Sequence, residues 1–395
     1  MRIVVIHIIT LLELGGAQQN TLYTVKHLDR DRFTPFLICG KGGVLDPEAE
    51  VLTDVPVFFV SPLVREIRPN KDISALRQIR SHIRRILKFR DLQTPVIVHT
   101  HSSKAGILGR WAAYLERVPI IVHTFHGFGF HVGQRPWVRR FFQTLERITG
   151  RITHRFIMVS RANMEVARGL GIAYRDQMVL IRSGISIGEY QHVPESRGEI
   201  RKTLGITPHQ KVVLNVSCLK PQKAPEDFVE VAARVAPQES DAVFLLVGDG
   251  ILRPKVESAA LRHGLGDRFR LLGWRRDVPQ LLKAADVLVL TSRWEGLPRV
   301  LPQAMAAGIP AVATAVDGSP EAIEDGINGF LVQPGDVEGM AERILRLLGD
   351  PLLRDRMGRE GQKRVGEFDI DLMVRQQEEL YEELVKEWAR SKGGG

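Results

Sequence analysis

Short runs of Val, Ile and Leu alternate with helical patterns along the chain, and they do so in two series. The first series has "RIVVIHI" (2–8), "PVIVHT" (95–100), "PIIVHT" (119–124) and "RFIMVS" (155–160), with helical patterns near 17–28, 72–90, 103–116 and 136–149. Near-continuous apolar runs of this length read as parallel strands buried on both faces. Such strands need helices on both sides, which is a doubly wound α/β sheet. A polar, Pro-containing stretch around 184–210 separates this series from a second, "KVVLNVS" (211–217), "DAVFLLVG" (241–248), "RFRLLG" (268–273), "DVLVLT" (286–291) and "IPAVAT" (309–314). The reading is two Rossmann-like domains with a cleft between them, at 1–185 and 186–371, and 395 residues suffice for two cores. The last helical pattern, 372–390, either caps the second domain or packs back on the first. "SKGGG" at the end reads as a tail.

Charge separates the two halves. Residues 1–190 hold 27 Lys/Arg against 15 Asp/Glu, and the remainder holds 28 against 31. A basic amino half suits an anionic surface or substrate. No nucleic-acid motif accompanies the charge, so nucleic acid is not expected as a partner. Cys39 and Cys218 lie far apart, with neither a disulfide framework nor metal spacing, which points to a reducing compartment. No stretch reaches transmembrane length, and "MRIVVIHII" reads as a first strand because no small-residue cleavage site follows it.

Open α/β sheets bind ligands outside the carboxyl ends of their strands. Four strand-to-helix loops stand there. In "ELGGAQQN" (13–20), Gly15 and Gly16 let backbone N–H groups approach an anion at a helix start. It is not GxGxxG, since Ala17 and Gln18 replace the later glycines, so a dehydrogenase is disfavoured. "SCLKPQKAPEDF" (217–228) offers Lys220 and Lys223 as cations for a diphosphate. In "LLVGDGILR" (245–253), Asp249 is either an N-cap or a ligand contact. "SRWEGLPRVLPQAMAAG" (292–308) places a carboxylate, Glu295, before a helix start. Its donors are the N–H groups of Gly296, Leu297, Arg299 and Val300, and the amide of Gln303 follows one turn on. A carboxylate, helix N–H groups and an amide in that order suit a nucleotide-sugar.

In order and spacing, "GGAQ", "HTHSSKAG", "VHTFHGFGFH", "LKPQK", "VGDG", "FRLLGWRRDV", "SRWEGLPRVLPQAMAAGIPAVAT" and "DGSPEAIEDGINGFLV" resemble the family 4 glycosyltransferases, retaining enzymes of the GT-B fold. The resemblance covers nearly the whole chain. It implies that Glu295 holds donor-sugar hydroxyls and that Lys223 binds phosphate. It also implies that His126 lies near the reacting centre and that His101 and Lys104 stand on the acceptor side. The family's second Glu, which usually holds the ribose, is Gln303 here, and Cys218 stands where the family often has Arg. Lys220 is then the second phosphate cation. The resemblance further implies front-side attack by the acceptor hydroxyl, assisted by the departing phosphate, with no metal and no cofactor beyond the nucleotide-sugar, most often a UDP-sugar. His123, His126 and His131 have no carboxylate at a familiar metal-site spacing.

The stretch 73–90 carries Ile73, Leu76, Ile79, Ile83, Ile86 and Leu87 at helical spacing, with Arg77, Arg80, Arg84, Arg85 and Lys88 on the other side. It is either a solvated face over a packed stripe or a surface for anionic lipid. Trp137, Phe141 and Phe142 beside Arg139 and Arg140 suit an interface or a core equally. The expectation is a cytoplasmic enzyme, peripheral on the inner face of a membrane, that transfers sugar to a polysaccharide or lipid-linked glycan. The alternatives are a sugar-nucleotide epimerase or hydrolase on the same fold, and a non-catalytic basic membrane-associated module.

Overall fold

The computed structural model describes residues 2–88, 94–131 and 133–393. Phe89 and Arg90, at the end of the expected 72–90 helix, and the last two glycines of the tail lie outside the described residues. The chain divides into two compact units, Met1–Gly184 with Ile370–Gly395, and Ile185–Asp369.

The first unit holds seven strands, β1 (Ile3–Ile9), β2 (Phe33–Cys39), β3 (Val57–Phe59), β4 (Val96–His101), β5 (Ile120–Phe125), β6 (Arg155–Met158) and β7 (Met178–Leu180). Their order is β3-β2-β1-β4-β5-β6-β7, and every pair is parallel. The β-branched runs explain the middle of the sheet, where all residues of β1, β4 and β5 are buried. Helix Ile370–Gly393 belongs to this unit. Its Met373, Val374, Leu380, Tyr381 and Leu384 pack with Ile97, Val122 and Ile157 in one buried cluster. Its acidic side closes on the basic sequence after β1, with Arg32 NH1 donating to Glu382 at 3.0 Å and the Asp29 amide donating to Glu378 at 2.7 Å.

The second unit holds β8 (Lys211–Val216), β9 (Ala242–Val247), β10 (Phe269–Gly273), β11 (Val287–Leu290), β12 (Ala311–Thr314) and β13 (Gly329–Val332). Their order is β10-β9-β8-β11-β12-β13, again parallel throughout. In each sheet the strand order reverses once, between β1 and β4 in the first and between β8 and β11 in the second. These two points are where a parallel sheet opens a crevice at its carboxyl edge.

Helix Pro69–Lys88 buries Ile79, Ile83 and Ile86, as its spacing predicts, together with Ala75, and half-buries Leu76 and Leu87. Ile73 differs. It is 51% exposed, because it precedes the turn at which the packed stripe begins. Arg80 and Arg84 do not form a free basic face, since both pair with the Glu116 carboxylate at 2.8 Å. Among the described residues no helix is long and apolar enough to cross a membrane.

Candidate active site

At the reversal point of the second sheet, the loops after β8 and β11 are bonded to each other. Thr291 Oγ1 donates to the carbonyls of Lys223 and Ala224 at 2.8 and 3.1 Å. The Arg293 amide donates to the Gln222 carbonyl, and Gln222 Nε2 donates to the Trp294 carbonyl at 3.0 Å. The loop after β9 fits beneath them only because Gly248 has no side chain: a Cβ there would lie 2.1 Å from the Ser217 carbonyl, and its φ is +126°. Asp249 is not an N-cap. Its Oδ1 accepts from Gly250 N–H at 2.7 Å and its Oδ2 pairs with Arg253 at 2.9 Å, because the helix starts later, at Arg253.

These bonds bring Lys223 onto Glu295. Lys223 Nζ and Ser292 Oγ both donate to Glu295 Oε1, the serine at 2.5 Å. The carboxylate is nearly buried, with 6% of its side chain exposed, while 20% of the lysine side chain is exposed. The Glu295 amide donates to Asp317 Oδ2 at 2.5 Å. Burial, with the Glu295 carboxylate beside it, pushes the Asp317 pKa above the usual carboxylate range. Ala224 and Asp317 both hold left-handed backbone, with φ of +42° and +43°. Strain of that kind in non-glycine residues persists where the surroundings over-determine it, and it concentrates at functional sites.

Gly296, Leu297 and Arg299 lead into helix Val300–Ala307, for which Arg299 is the N-cap residue. The first amides of a helix have no intrahelical partner, so they remain for capping groups or a ligand. Gln303 is half-buried on the first turn, its amide N–H bonded to the Arg299 carbonyl. Lys220 is half-buried in the β8 loop, and Cys218 is a free, half-buried thiol two residues before it. Lys220, Lys223, Glu295, Gly296, Leu297, Arg299, Val300 and Gln303 therefore share one sheet edge. Ser292 and Asp317 were not singled out from sequence. A signal existed for both, since each follows a buried strand that ends on this edge.

The remaining sequence candidates belong to the first unit. Gly15 and Gly16 open helix Gly16–His27 after β1, and the β4 loop begins at Ser102 on the other side of the reversal. Thr10 Oγ1 joins the two, bonding Ser102 Oγ at 2.7 Å and accepting from the Ala105 amide at 3.1 Å. Two acceptor-side expectations meet other partners. Lys104 Nζ is 2.5 Å from Asp72 and also donates to the Glu66 carbonyl, so its charge is already neutralised. His101 is 3% exposed and commits both ring nitrogens, Nε2 to His7 Nδ1 at 3.0 Å and Nδ1 to His126 Nε2 at 3.2 Å.

Histidines also converge here in a way the sequence spacing does not disclose. His7, His99 and His101 each offer a nitrogen within 4.8 Å of the others, whereas His123 turns to Thr100 Oγ1 at 2.8 Å. Five of the trio's six ring nitrogens hold protein partners, because His99 bonds Tyr381 Oη at 2.5 Å and Thr124 Oγ1 at 2.7 Å. The sixth, His7 Nε2, is buried without a hydrogen bond. A metal would have to displace these bonds. Burial lowers the pKa of His7 to about 3, and burial with neighbouring histidines lowers His99 and His101 well below the ordinary value. All three rings are therefore neutral near pH 7.

Comparison with known proteins covers both units. Residues 15–184 match the Glycosyl transferase 4-like domain, and residues 196–364 match Glycosyl transferases group 1. The UDP-Gal:alpha-D-GlcNAc-diphosphoundecaprenol alpha-1,3-galactosyltransferase of Escherichia coli is 32% identical over 391 residues, 97% of this chain and 98% of the relative. The N,N'-diacetylbacillosaminyl-diphospho-undecaprenol alpha-1,3-N-acetylgalactosaminyltransferase of Campylobacter jejuni is 25% identical over 73% of this chain and 77% of the relative. Among solved structures, Anabaena HepE in complex with UDP and glucose has a TM-score of 0.80 at 24% identity, covering 96% of this chain and 99% of that one. Sucrose-phosphate synthase from Thermosynechococcus elongatus reaches 0.83 at 23%, covering 97% and 99%.

Proposed function

The chain belongs to the family 4 glycosyltransferases, enzymes of the GT-B fold, and on that footing we propose that it transfers a sugar from a UDP-sugar to a lipid-linked diphosphate glycan, with retention of configuration. The observation that carries the reading is the Lys223–Glu295 pair at the reversal point between β8 and β11, beside the start of helix Val300–Ala307. A diphosphate there draws Lys223 toward itself, with Lys220 and the helix amides completing its charge balance. Glu295 Oε1 already takes two donors, so Oε2 is the oxygen assigned to a sugar hydroxyl. Gln303 then holds the ribose.

In the proposed step the acceptor oxygen approaches C1 from the side on which the diphosphate leaves. The C1–phosphate oxygen bond breaks as the C1–acceptor bond forms. The acceptor proton passes to the departing phosphate oxygen. Lysines and helix amides stabilise the charge that grows on the leaving group, which is the work a metal does in other transferases.

A lipid-linked acceptor requires access to a bilayer. We assign that contact to helix Pro136–Gly150, which exposes Trp137, Phe141 and Ile148 on one side with Arg140, Arg147 and Arg151 alongside. The basic stretch 73–88 adds a weaker electrostatic contribution, because Arg80 and Arg84 are paired. Sedimentation with vesicles containing a fifth phosphatidylglycerol should retain the protein. The double variant Trp137→Ser, Phe141→Ser should remain in the supernatant, and equal retention would move the membrane contact elsewhere.

The functional test uses the donor and acceptor named for the Escherichia coli relative. UDP-galactose, and then other UDP-sugars, are incubated with a GlcNAc-diphospho-lipid in the presence of EDTA. A new glycoside with the donor's anomeric configuration supports the proposal. Free sugar or an altered UDP-sugar would identify a hydrolase or an epimerase, and failure to bind any nucleoside diphosphate at millimolar concentration would identify a non-catalytic module. Gln303→Leu should weaken UDP binding by about 1–1.5 kcal/mol, since a ribose hydroxyl loses its partner. The parent should lose a similar amount with 2′-deoxy-UDP if the 2′ hydroxyl is the one held. If calorimetry shows neither loss, Gln303 does not touch the ribose.

A further inference from the structure

The loop after β12 runs beside the Glu295 loop, and three hydrogen bonds tie the two together. Thr314 Oγ1 donates to the Ser292 carbonyl at 2.5 Å, the Glu295 amide donates to Asp317 Oδ2 at 2.5 Å, and the Gly318 amide donates to the Gly296 carbonyl at 3.0 Å. All of these residues belong to the second unit, where β11 and β12 are neighbours. We propose that Asp317 is a positioning residue for the donor sugar: it holds the main chain of Glu295, so that the Glu295 carboxylate keeps its place when the diphosphate binds.

Of the three bonds, the one to Asp317 reaches the residue whose carboxylate is assigned to the sugar. Asp317 holds left-handed backbone, with φ of +43°, which costs free energy in any residue but glycine. A glycine would take that backbone without strain, but it could not make the bond. The Asp317 side chain is also half-buried, and burial with the Glu295 charge beside it raises its pKa. Left-handed strain and a half-buried carboxylate near a second one are each unfavourable alone. The short bond to the Glu295 amide is the contact that offsets them. It is available in both protonation states, since a carboxyl group keeps an acceptor oxygen when protonated.

The consequence rests on the proposed use of Glu295 for the sugar. Two groups hold Glu295 by its side chain, Lys223 and Ser292, both at Oε1. A bound diphosphate draws Lys223 toward itself and leaves Ser292 as the side-chain anchor. Asp317 holds the same residue by its main chain, through a bond in which Lys223 has no part. Its contribution therefore counts most once the donor is bound, and it is felt at the sugar and not at the phosphates. A Glu295 that shifts would place C1 less well for the acceptor oxygen, which penalises the bond-making step more than binding of the nucleotide.

Two variants test this. Asp317→Gly keeps the backbone conformation, relieves its strain and removes the bond. Asp317→Asn also accepts left-handed backbone, and its side-chain carbonyl can accept from the Glu295 amide. Asp317→Gly should lower kcat with UDP-galactose about tenfold, the worth of one hydrogen bond, with UDP affinity by calorimetry changed less than about twofold. Its melting temperature should stay within about 3 °C of the parent, because the relieved strain and the lost bond oppose each other. Asp317→Asn should restore most of kcat. Equal losses of kcat in the two variants, or an unchanged kcat in Asp317→Gly, would overturn the proposal. Parallel losses of kcat and UDP affinity would also overturn it, since Asp317 would then support the phosphate site or the loop as a whole. Hydrogen exchange of the Glu295 amide supplies a reading that does not depend on either variant folding. That amide should be protected in the parent, and rapid exchange there would remove the bond on which the proposal stands. Failure of the functional reading is seen separately, as a parent that transfers no sugar from any UDP-sugar, whereas failure of this inference is seen in the variants or in that amide.

Discussion

Lys223→Ala is expected to weaken UDP binding by about 1.5–3 kcal/mol, roughly 10- to 150-fold, the range for a hydrogen bond to a charged group. The upper half of that range is favoured by what the substitution leaves behind. Lys223 shares Glu295 Oε1 with Ser292, and the carboxylate is nearly buried. Without the ammonium, Glu295 keeps a neutral hydroxyl as its donor and repels an incoming diphosphate. An exposed pair would matter far less, since screening and side-chain entropy cancel most of its attraction. Here the exposed fifth of the lysine side chain tempers the effect without removing it. Calorimetry with UDP reads the loss directly. Unchanged affinity would make Lys223 a structural partner of Glu295 and nothing more.

The parts of the fold visible in the sequence were those whose signal is local. β1, β4, β5, β8 and β9 are buried throughout or nearly so and rich in Val, Ile and Leu, so their runs stand out. The strands not read from sequence are short or interrupted. β2 contains Pro35, which pairs across from Val5 in the ladder, and β13 begins at Gly329. β3 and β7 have three residues each, too few for any period. Glu295, Lys223 and Gln303 were legible because each lies in a loop or first turn directly after a recognisable strand. The bond from Glu295 to Lys223 was not, because 72 residues separate them and only the reversal of strand order brings their loops together. His7 was invisible for a related reason. Within "RIVVIHI" it reads as a strand residue, and its ring bonds to His101, 94 positions away. The bond from Lys104 to Asp72 was equally hidden, because 32 positions separate them.

Glu295→Gln should lower turnover with UDP-galactose by about 10²-fold, or some 2.7 kcal/mol, while UDP alone binds as tightly as before or more tightly. The two directions follow from one geometry. Glutamine matches glutamate in size, and its carbonyl oxygen can still accept from Ser292, so packing should survive. What is lost is the charge. A sugar hydroxyl that donated to a carboxylate now meets an amide, and the positioning of C1 loosens, which penalises the bond-making step more than binding. What is gained is a free Lys223. In the parent, a diphosphate must draw that ammonium from Glu295; in the variant no carboxylate competes for it. Removing the Glu295 charge also relieves Asp317, one of whose upward influences is that neighbour, so Asp317 should ionise more readily. Single-turnover rates measured beside UDP calorimetry separate these effects. Parallel losses in rate and UDP affinity would mean that Glu295 acts by holding Lys223 for the phosphate, not by holding the sugar. Ser292→Ala supplies the comparison. It removes one donor to the same oxygen and keeps the charge, so its effect on turnover should be smaller than that of Glu295→Gln. If the two were equal, geometry at Oε1, and not the negative charge, would be what the reaction requires.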